Sequence, residues 1–170
     1  KSEQGRELLL RLADDADVVV ENFGPGTLDR LGIGYEVLSS RNPRLILASG
    51  RGYGPDGPYA GKKAYDLLVQ CETGLLSVTG TPEAPCKAGI SVADIAAGMY
   101  AYTGVLTALY ERERTGRGSS FTVSLLDALG EWMTQPYLYT MYGGREPRRT
   151  GARHASISPY GPYQARGGEV

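Results

Sequence analysis

Apolar positions along this chain alternate between helical spacing and short unbroken runs. Residues 4–13 carry Leu8, Leu9 and Leu12 at helical spacing, with charges between them. Asp14-Asp-Ala-Asp17 breaks that pattern, and Val18-Val-Val20 follows as a β-branched run typical of a buried parallel strand. Glu21-Asn-Phe-Gly-Pro-Gly26 is a turn. Thr27 can cap a short helix that runs through Arg30 and Leu31 and is ended by Gly32 and Gly34. Tyr35 to Arg41 predicts a second short helix, stopped by Asn42-Pro43, and Leu45-Ile-Leu-Ala48 a second buried strand. Strand, helix, strand in that order implies a parallel sheet with right-handed crossovers.

A glycine-rich loop follows, Ser49-Gly-Arg-Gly-Tyr-Gly-Pro-Asp-Gly-Pro58. Residues 65–76 read as a helix with Leu67, Leu68 and Leu75 on its apolar side, and residues 77–92 as a loop. Asp94 opens a long helix in which Ile95, Met99, Tyr102, Leu106 and Leu109 recur at helical spacing. That helix ends in Glu111-Arg-Glu-Arg-Thr-Gly-Arg-Gly118, a turn expected to be solvated. Phe121-Thr-Val123 is a third strand, and Leu125 to Met133 begins a helix stopped or kinked at Pro136. From Gly143 the composition turns basic and breaker-rich, which places a linker there. The expectation is an α/β large domain over residues 1–145, with residues 146–170 forming the linker and the start of a small domain.

Composition narrows the function classes. The chain has 170 residues, 41% hydrophobic and 22% charged, the balance of a soluble globular domain with a proper core. A net charge of -1 speaks against nucleic-acid binding driven by bulk electrostatics. No apolar run is read as a membrane span, and the polar start Lys1-Ser-Glu-Gln-Gly5 is not a secretory signal. Cys71 and Cys86 make no metal pattern and read as reduced thiols of a cytoplasmic protein, with a single disulfide left open. Both ends look cut, so the chain is expected to be a fragment of a longer one.

Several stretches could carry chemistry. Gly52-Tyr-Gly-Pro-Asp-Gly57 fits a dinucleotide fingerprint, but that motif must run directly into a helix, and Pro55 and Pro58 interrupt. An irregular loop is the better reading. Lys62-Lys63 suits phosphate, although a solvated pair is the simpler account, and the same holds for Arg30. His154 is the single histidine, which removes a histidine-rich metal site from this chain. Asp94 sits where a small-residue run, Gly89-Ile-Ser-Val-Ala-Asp-Ile-Ala-Ala-Gly-Met-Tyr100, enters the long helix. Taken locally, a helix cap held ionised by the helix dipole is the simpler role. The same features would preserve a carboxylate nucleophile.

Taken together and in order, the motifs are specific. Val20-Glu-Asn-Phe-Gly-Pro-Gly-Thr-Leu-Asp-Arg-Leu-Gly32, Asn42-Pro-Arg-Leu-Ile46, Gly52-Tyr-Gly-Pro-Asp-Gly-Pro58, Lys63-Ala-Tyr-Asp66, Val92-Ala-Asp-Ile-Ala-Ala-Gly98 and Arg114-Thr-Gly-Arg-Gly118 resemble the family III CoA-transferases. The α-methylacyl-CoA racemases are relatives of that family. The resemblance implies a Rossmann-like open parallel sheet and an enzyme moving CoA between an acyl-CoA and a carboxylic acid. It implies a covalent intermediate on Asp94. It also implies CoA contacts from Asn22, Phe23, Gly24, Arg30, Lys62, Lys63, Ala64 and Tyr65. CoA and its acyl esters would be substrates, with no tightly bound cofactor and no metal. An interlocked homodimer is implied for the longer protein, with no nucleic-acid or membrane partner. The racemases use a His where this chain has Tyr65, beside Asp66, so transferase ranks above racemase or epimerase. An inactive CoA-binding fragment is the third alternative. Arg-His-Ala-Ser-Ile-Ser-Pro-Tyr160 departs from the glycine-rich substrate loop of the formyl-CoA enzymes. It looks closer to members handling C4–C5 dicarboxylates with succinyl-CoA as donor, where Arg153 and His154 would pair with the distal carboxylate.

Overall fold

The structure, a computed structural model, describes residues 2–169. The sheet is parallel throughout, with strands β1 (Val18–Glu21), β2 (Ile46–Arg51) and β3 (Ser120–Ser124) in the order β1-β2-β3. Register is set by Val18 opposite Ile46 and Leu47 opposite Ser120. Helix α1 (Glu3–Asp14) precedes β1. Helices α2 (Thr27–Arg30) and α3 (Tyr35–Arg41) connect β1 to β2, and α4 (Asp66–Glu72), α5 (Leu75–Val78) and α6 (Val92–Thr115) connect β2 to β3. After β3 come α7 (Leu125–Trp132) and α8 (Thr134–Gly143). A hairpin of β4 (Gln164–Ala165) and β5 (Gly168–Glu169) closes the described chain. The α/β class expected from the alternation is the one observed.

Two layers sandwich the sheet. Leu45 and Leu47 join Leu10, Ala13, Leu28, Ile33 and Leu38 in a cluster beneath α1–α3. On the other layer α6 crosses β2 and β3 and packs against α4 and α7. There Ala93 lies with Val69 and Leu129, and Ala96 and Ala97 lie with Ala128. Val20, paired with Ala48 in the register, stays 69% exposed because β1 is the sheet edge and lies beyond α6. The β1 run is therefore half-covered rather than buried.

Most elements form near where the pattern placed them, although β2 continues through Ser49-Gly-Arg51 into the expected glycine loop, and several faces are inverted. Leu8, Leu9 and Leu12 point outward, and α1 buries Leu10 and Ala13 instead. In α6 the large apolar residues Ile95, Met99, Tyr102 and Leu106 are exposed, while the alanines face the sheet. Small residues let the helix axis approach the strands closely. Residues 65–76 are two helices, not one, broken at Thr73-Gly74 where Gly74 takes a left-handed backbone (φ 79°). Leu67 and Leu68 are exposed and Val69 and Gln70 are buried. Thr27 is the first helical residue of α2 rather than its cap, which is Gly26. Pro136 neither stops nor kinks α7. The break is at Met133, and Pro136 occupies the first turn of α8, where its missing N–H is harmless.

The C-terminal turn of α6 is also less solvated than expected. Arg112 is 6% exposed. Its guanidinium donates to Asp17 Oδ1 at 2.8 Å and to the Arg44 carbonyl at 3.1 Å. It thereby ties α6 to the entries of both β1 and β2. By length and composition alone this helix is long and apolar enough to match a membrane span, contrary to the sequence reading. Its alanine face and its buried Arg112 pack on the sheet.

Removing Arg112 would strip hydrogen bonds from the starts of two strands. Arg112→Ala is expected to cost about 2 kcal/mol in urea unfolding of the full-length protein. Asp17→Ala should cost under about 1 kcal/mol, because its carboxylate is mostly in water. Equal losses would mean that the ion pair, not the carbonyl contact, holds the helix end.

Candidate functional site

All three strands of the parallel sheet run toward one edge, and open α/β sheets bind ligands at that carboxyl edge. β1 delivers Glu21 and then the turn Asn22-Phe23-Gly24. β2 delivers Arg51, Gly52 and Tyr53. Buried Glu21 and half-buried Arg51 form an ion pair with Oε1 2.6 Å from Nη1. Arg51 Nη1 also donates to the carbonyls of Phe23 and Gly50, each at 3.0 Å. The Phe23 N–H donates to Glu21 Oε2 at 2.9 Å. The pair thus fixes the turn of one strand onto the next. Neither residue was singled out from sequence. The signal available was a charge at the end of each of two apolar strands.

The glycine loop is a packing device. A Cβ on Gly52 would lie 2.1 Å from the Ala64 side chain, and the Gly52 carbonyl accepts the Leu126 N–H at 3.1 Å. Gly50 lies against Asn22. Asn22 and Ala64, both expected at the site, therefore each pack against a glycine at the end of β2. Phe23 and Tyr65 are exposed, 54% and 71%. Gly24 accepts the Thr27 N–H at 3.1 Å.

The two lysines differ. Lys62 is engaged. Its ammonium pairs with Glu72 and sits 4.1 Å from the Tyr59 ring centroid and 5.5 Å from that of Tyr53. Tyr53 is buried, and burial together with the neighbouring Glu72 carboxylate pushes its hydroxyl up from the usual range. Lys63 is exposed and makes no hydrogen bond or ion pair with any described residue. Arg30 bends back on its own turn, donating to the Pro25 carbonyl at 3.0 Å and to Thr27 Oγ1 at 2.8 Å.

Asp94 is the third residue of α6, and it does not cap the helix. Ser91 occupies the N-cap position with no side-chain bond. The free Ala93 N–H donates instead to Asp66 Oδ1 at 2.8 Å, from the first turn of α4. Asp66 Oδ2 accepts from Gln70 Nε2 at 2.6 Å. Asp94 itself accepts no hydrogen bond from any described residue. The capping role favoured locally is thus taken by another residue. The dipole was expected to favour the charged form, yet partial burial, and secondarily the Asp66 charge, pushes the Asp94 carboxyl up. A carboxylate with higher proton affinity is the better nucleophile once ionised.

Arg153 and His154 are placed elsewhere by the described contacts. Their segment leans on the 80–82 loop, with the Gly151 N–H donating to the Gly80 carbonyl at 2.8 Å and Arg149 to the carbonyls of Thr81 and Pro82. His154 Nδ1 accepts the N–H groups of Ser156 (3.1 Å) and Ile157 (3.0 Å), so it shapes its own turn. Arg153 lies 5.3 Å from the Tyr163 ring. No described contact joins either residue to Asp94. A groove of about 1710 Å³ between α5, α7–α8 and this segment contains none of the expected site residues.

The comparisons decide the family. The family model for CoA-transferase family III matches residues 1–170. The chain belongs to CoA-transferase family III. It is 40% identical over 168 residues to an acetyl-CoA:oxalate CoA-transferase of Acetobacter aceti, covering 98% of this chain and 43% of that protein. It is 40% identical over 161 residues to a succinate–glutarate CoA-transferase of Agrobacterium fabrum, covering 94% of this chain and 40% of that protein. A solved CAIB/BAIF family protein from Brucella suis superposes with a TM-score of 0.88 at 37% identity, covering 99% of this chain and 45% of that one. The chain spans about two fifths of the length of the curated relatives it matches.

The Asp94 carboxyl holds its proton more tightly in the folded chain than in the unfolded one. The stability it contributes is therefore present at low pH and lost as pH rises through the folded value. Asp94→Asn should raise stability at neutral pH by up to about 1 kcal/mol after solvent screening. The gain should vanish below the ordinary carboxylate range. Thermal unfolding of both proteins across pH checks this, and a gain independent of pH would contradict it.

Proposed function

We propose that the full-length protein containing this chain transfers CoA from an acyl-CoA donor to a carboxylic acid through Asp94. The observation that carries this reading is the carboxylate itself. Asp94 stands in the first turn of the long helix α6, beside the carboxyl edge of the sheet, with its capping duty discharged by Asp66.

The steps balance without any further reactant. An Asp94 oxygen attacks the thioester carbonyl and CoA thiolate leaves, giving a mixed anhydride. The thiolate attacks the aspartyl carbonyl and the donor acid leaves as carboxylate, giving an aspartyl-CoA thioester. An acceptor carboxylate attacks that thioester, forming a second anhydride and freeing the thiolate again. Attack of the thiolate on the acceptor's acyl carbon yields the new acyl-CoA and restores Asp94. Each step exchanges leaving groups of similar quality, so one difficult exchange becomes several easy ones. Remote contacts with CoA hold the thioester near Asp94. Asn22, Phe23, Gly24, Ala64 and Tyr65 would line its path, with Lys63 free for a phosphate. Lys62 and Arg30 would have to exchange their present partners to join them.

For substrates, succinyl-CoA and a C4–C5 dicarboxylate are the reading, in line with the relative named for succinate and glutarate. A relative named for acetyl-CoA and oxalate marks the competing pair. A proton-exchanging racemase is disfavoured by Tyr65 in place of a histidine, with the single His154 occupied in its turn. An interlocked homodimer is proposed for the whole protein.

Incubating that protein with succinyl-CoA and trapping with hydroxylamine or borohydride should modify the Asp94 peptide, as read by mass spectrometry. Asp94→Asn should abolish the adduct and lower kcat by about 10³-fold or more. Sustained transfer by Asp94→Asn, or an unmodified Asp94 in a turning-over enzyme, sinks the covalent reading.

A further inference from the structure

Gln70 is 0% exposed, yet nothing in an α/β core calls for a buried amide at that position. Both ends of the amide are used. Its Nε2 donates to Asp66 Oδ2 at 2.6 Å, and its Oε1 accepts the Ala88 N–H at 2.9 Å. Asp66 turns its other oxygen to the Ala93 N–H, one residue before Asp94. Three short bonds therefore run from the loop that enters α6, through Gln70 and Asp66, to the first turn of α6. A buried amide bonded at both its nitrogen and its oxygen fixes geometry tightly, because any displacement strands an unsatisfied partner.

The geometry points to Gln70 as the positioning residue for Asp94, acting through Asp66 and the entry loop of α6 and touching no substrate itself. The inference rests on the reading of Asp94 as nucleophile. Gln70 gives its donor to Asp66 Oδ2 and so fixes the plane of that carboxylate, whose other oxygen holds the Ala93 N–H. The same amide clamps the loop at Ala88, which sets where α6 begins. Asp66 is the one charged group acting on Asp94 from the packed elements, and its charge supports a higher proton affinity there.

Gln70→Glu keeps the acceptor for Ala88 but replaces the donor with a third carboxyl against Asp66. Gln70→Met keeps length and bulk and removes both bonds. The first readout, taken on the full-length protein, is the pH midpoint of carbodiimide labelling of Asp94, followed by mass spectrometry. It needs no turnover. Gln70→Glu should move that midpoint by about one pH unit, upward if both carboxyls are charged, since like charges disfavour ionisation. Asp66→Asn should move it downward. The second readout is transfer from succinyl-CoA to glutarate. Gln70→Met should lower kcat about tenfold or more with KM for succinyl-CoA within twofold. A mere tether replaced by Met would lower the unfolding temperature and leave kcat untouched. A midpoint unchanged in a folded Gln70→Glu protein overturns the inference. If that variant does not fold, an unchanged kcat in Gln70→Met overturns it. The two readings fail separately: if Asp94→Asn still transfers CoA, the nucleophile reading falls while a moved midpoint still stands.

Discussion

The arrangement depends on one hydrogen bond, from the Ala93 N–H at the start of α6 to the Asp66 carboxylate at the start of α4. A helix N-terminus leaves backbone donors free, and a carboxylate three residues in would ordinarily serve one of them. Here the acceptor arrives from another helix. Two helix starts are locked together, and the Asp94 carboxylate is left without a hydrogen bond from any described residue, near the positive end of the helix dipole. At the opposite end of α6, Arg112 binds the entries of β1 and β2. The helix is thus pinned at both ends across the sheet, with the Asp94 carboxylate in the first turn at one of them.

The rest of the carboxyl edge is built by the same economy of buried polar contacts. Glu21 and Arg51 bind the ends of neighbouring strands and orient the Asn22-Phe23-Gly24 turn. Gly52 removes a side chain so that Ala64 can approach. Tyr53, Tyr59 and Glu72 hold Lys62 and leave Lys63 open to solvent. The result is a rigid wall of strand ends facing a flank of small and aromatic side chains.

Much of this was legible in the sequence. Period and punctuation located α1 and α3 closely, because the Asp14-Asp-Ala-Asp17 and Asn42-Pro43 breaks fall at their ends. What failed was the choice of face. In α6 both sides are apolar, large residues on one and alanines on the other, so spacing alone cannot say which side meets the sheet. The rule that large residues go inward chose Ile95 and Met99, while close approach to the strands selected Ala96 and Ala97. Asp94 was legible as a candidate, but its freedom was not. The competing cap came from Asp66, 27 residues away. Gln70 and Arg112 were illegible for a related reason, since a polar residue on an amphipathic helix reads as surface until a long-range partner is known. Arg153 and His154 rested on resemblance, and the structure gives them local partners instead.

The most direct test of this account is hydrogen exchange at the Ala93 amide in the full-length protein, compared among the parent, Asp66→Ala and Asp94→Ala. Delegated capping predicts that Asp66→Ala loses protection at Ala93, while Asp94→Ala keeps it. Loss of protection in Asp94→Ala with Asp66→Ala unchanged would return Asp94 to the role of a cap and contradict the account.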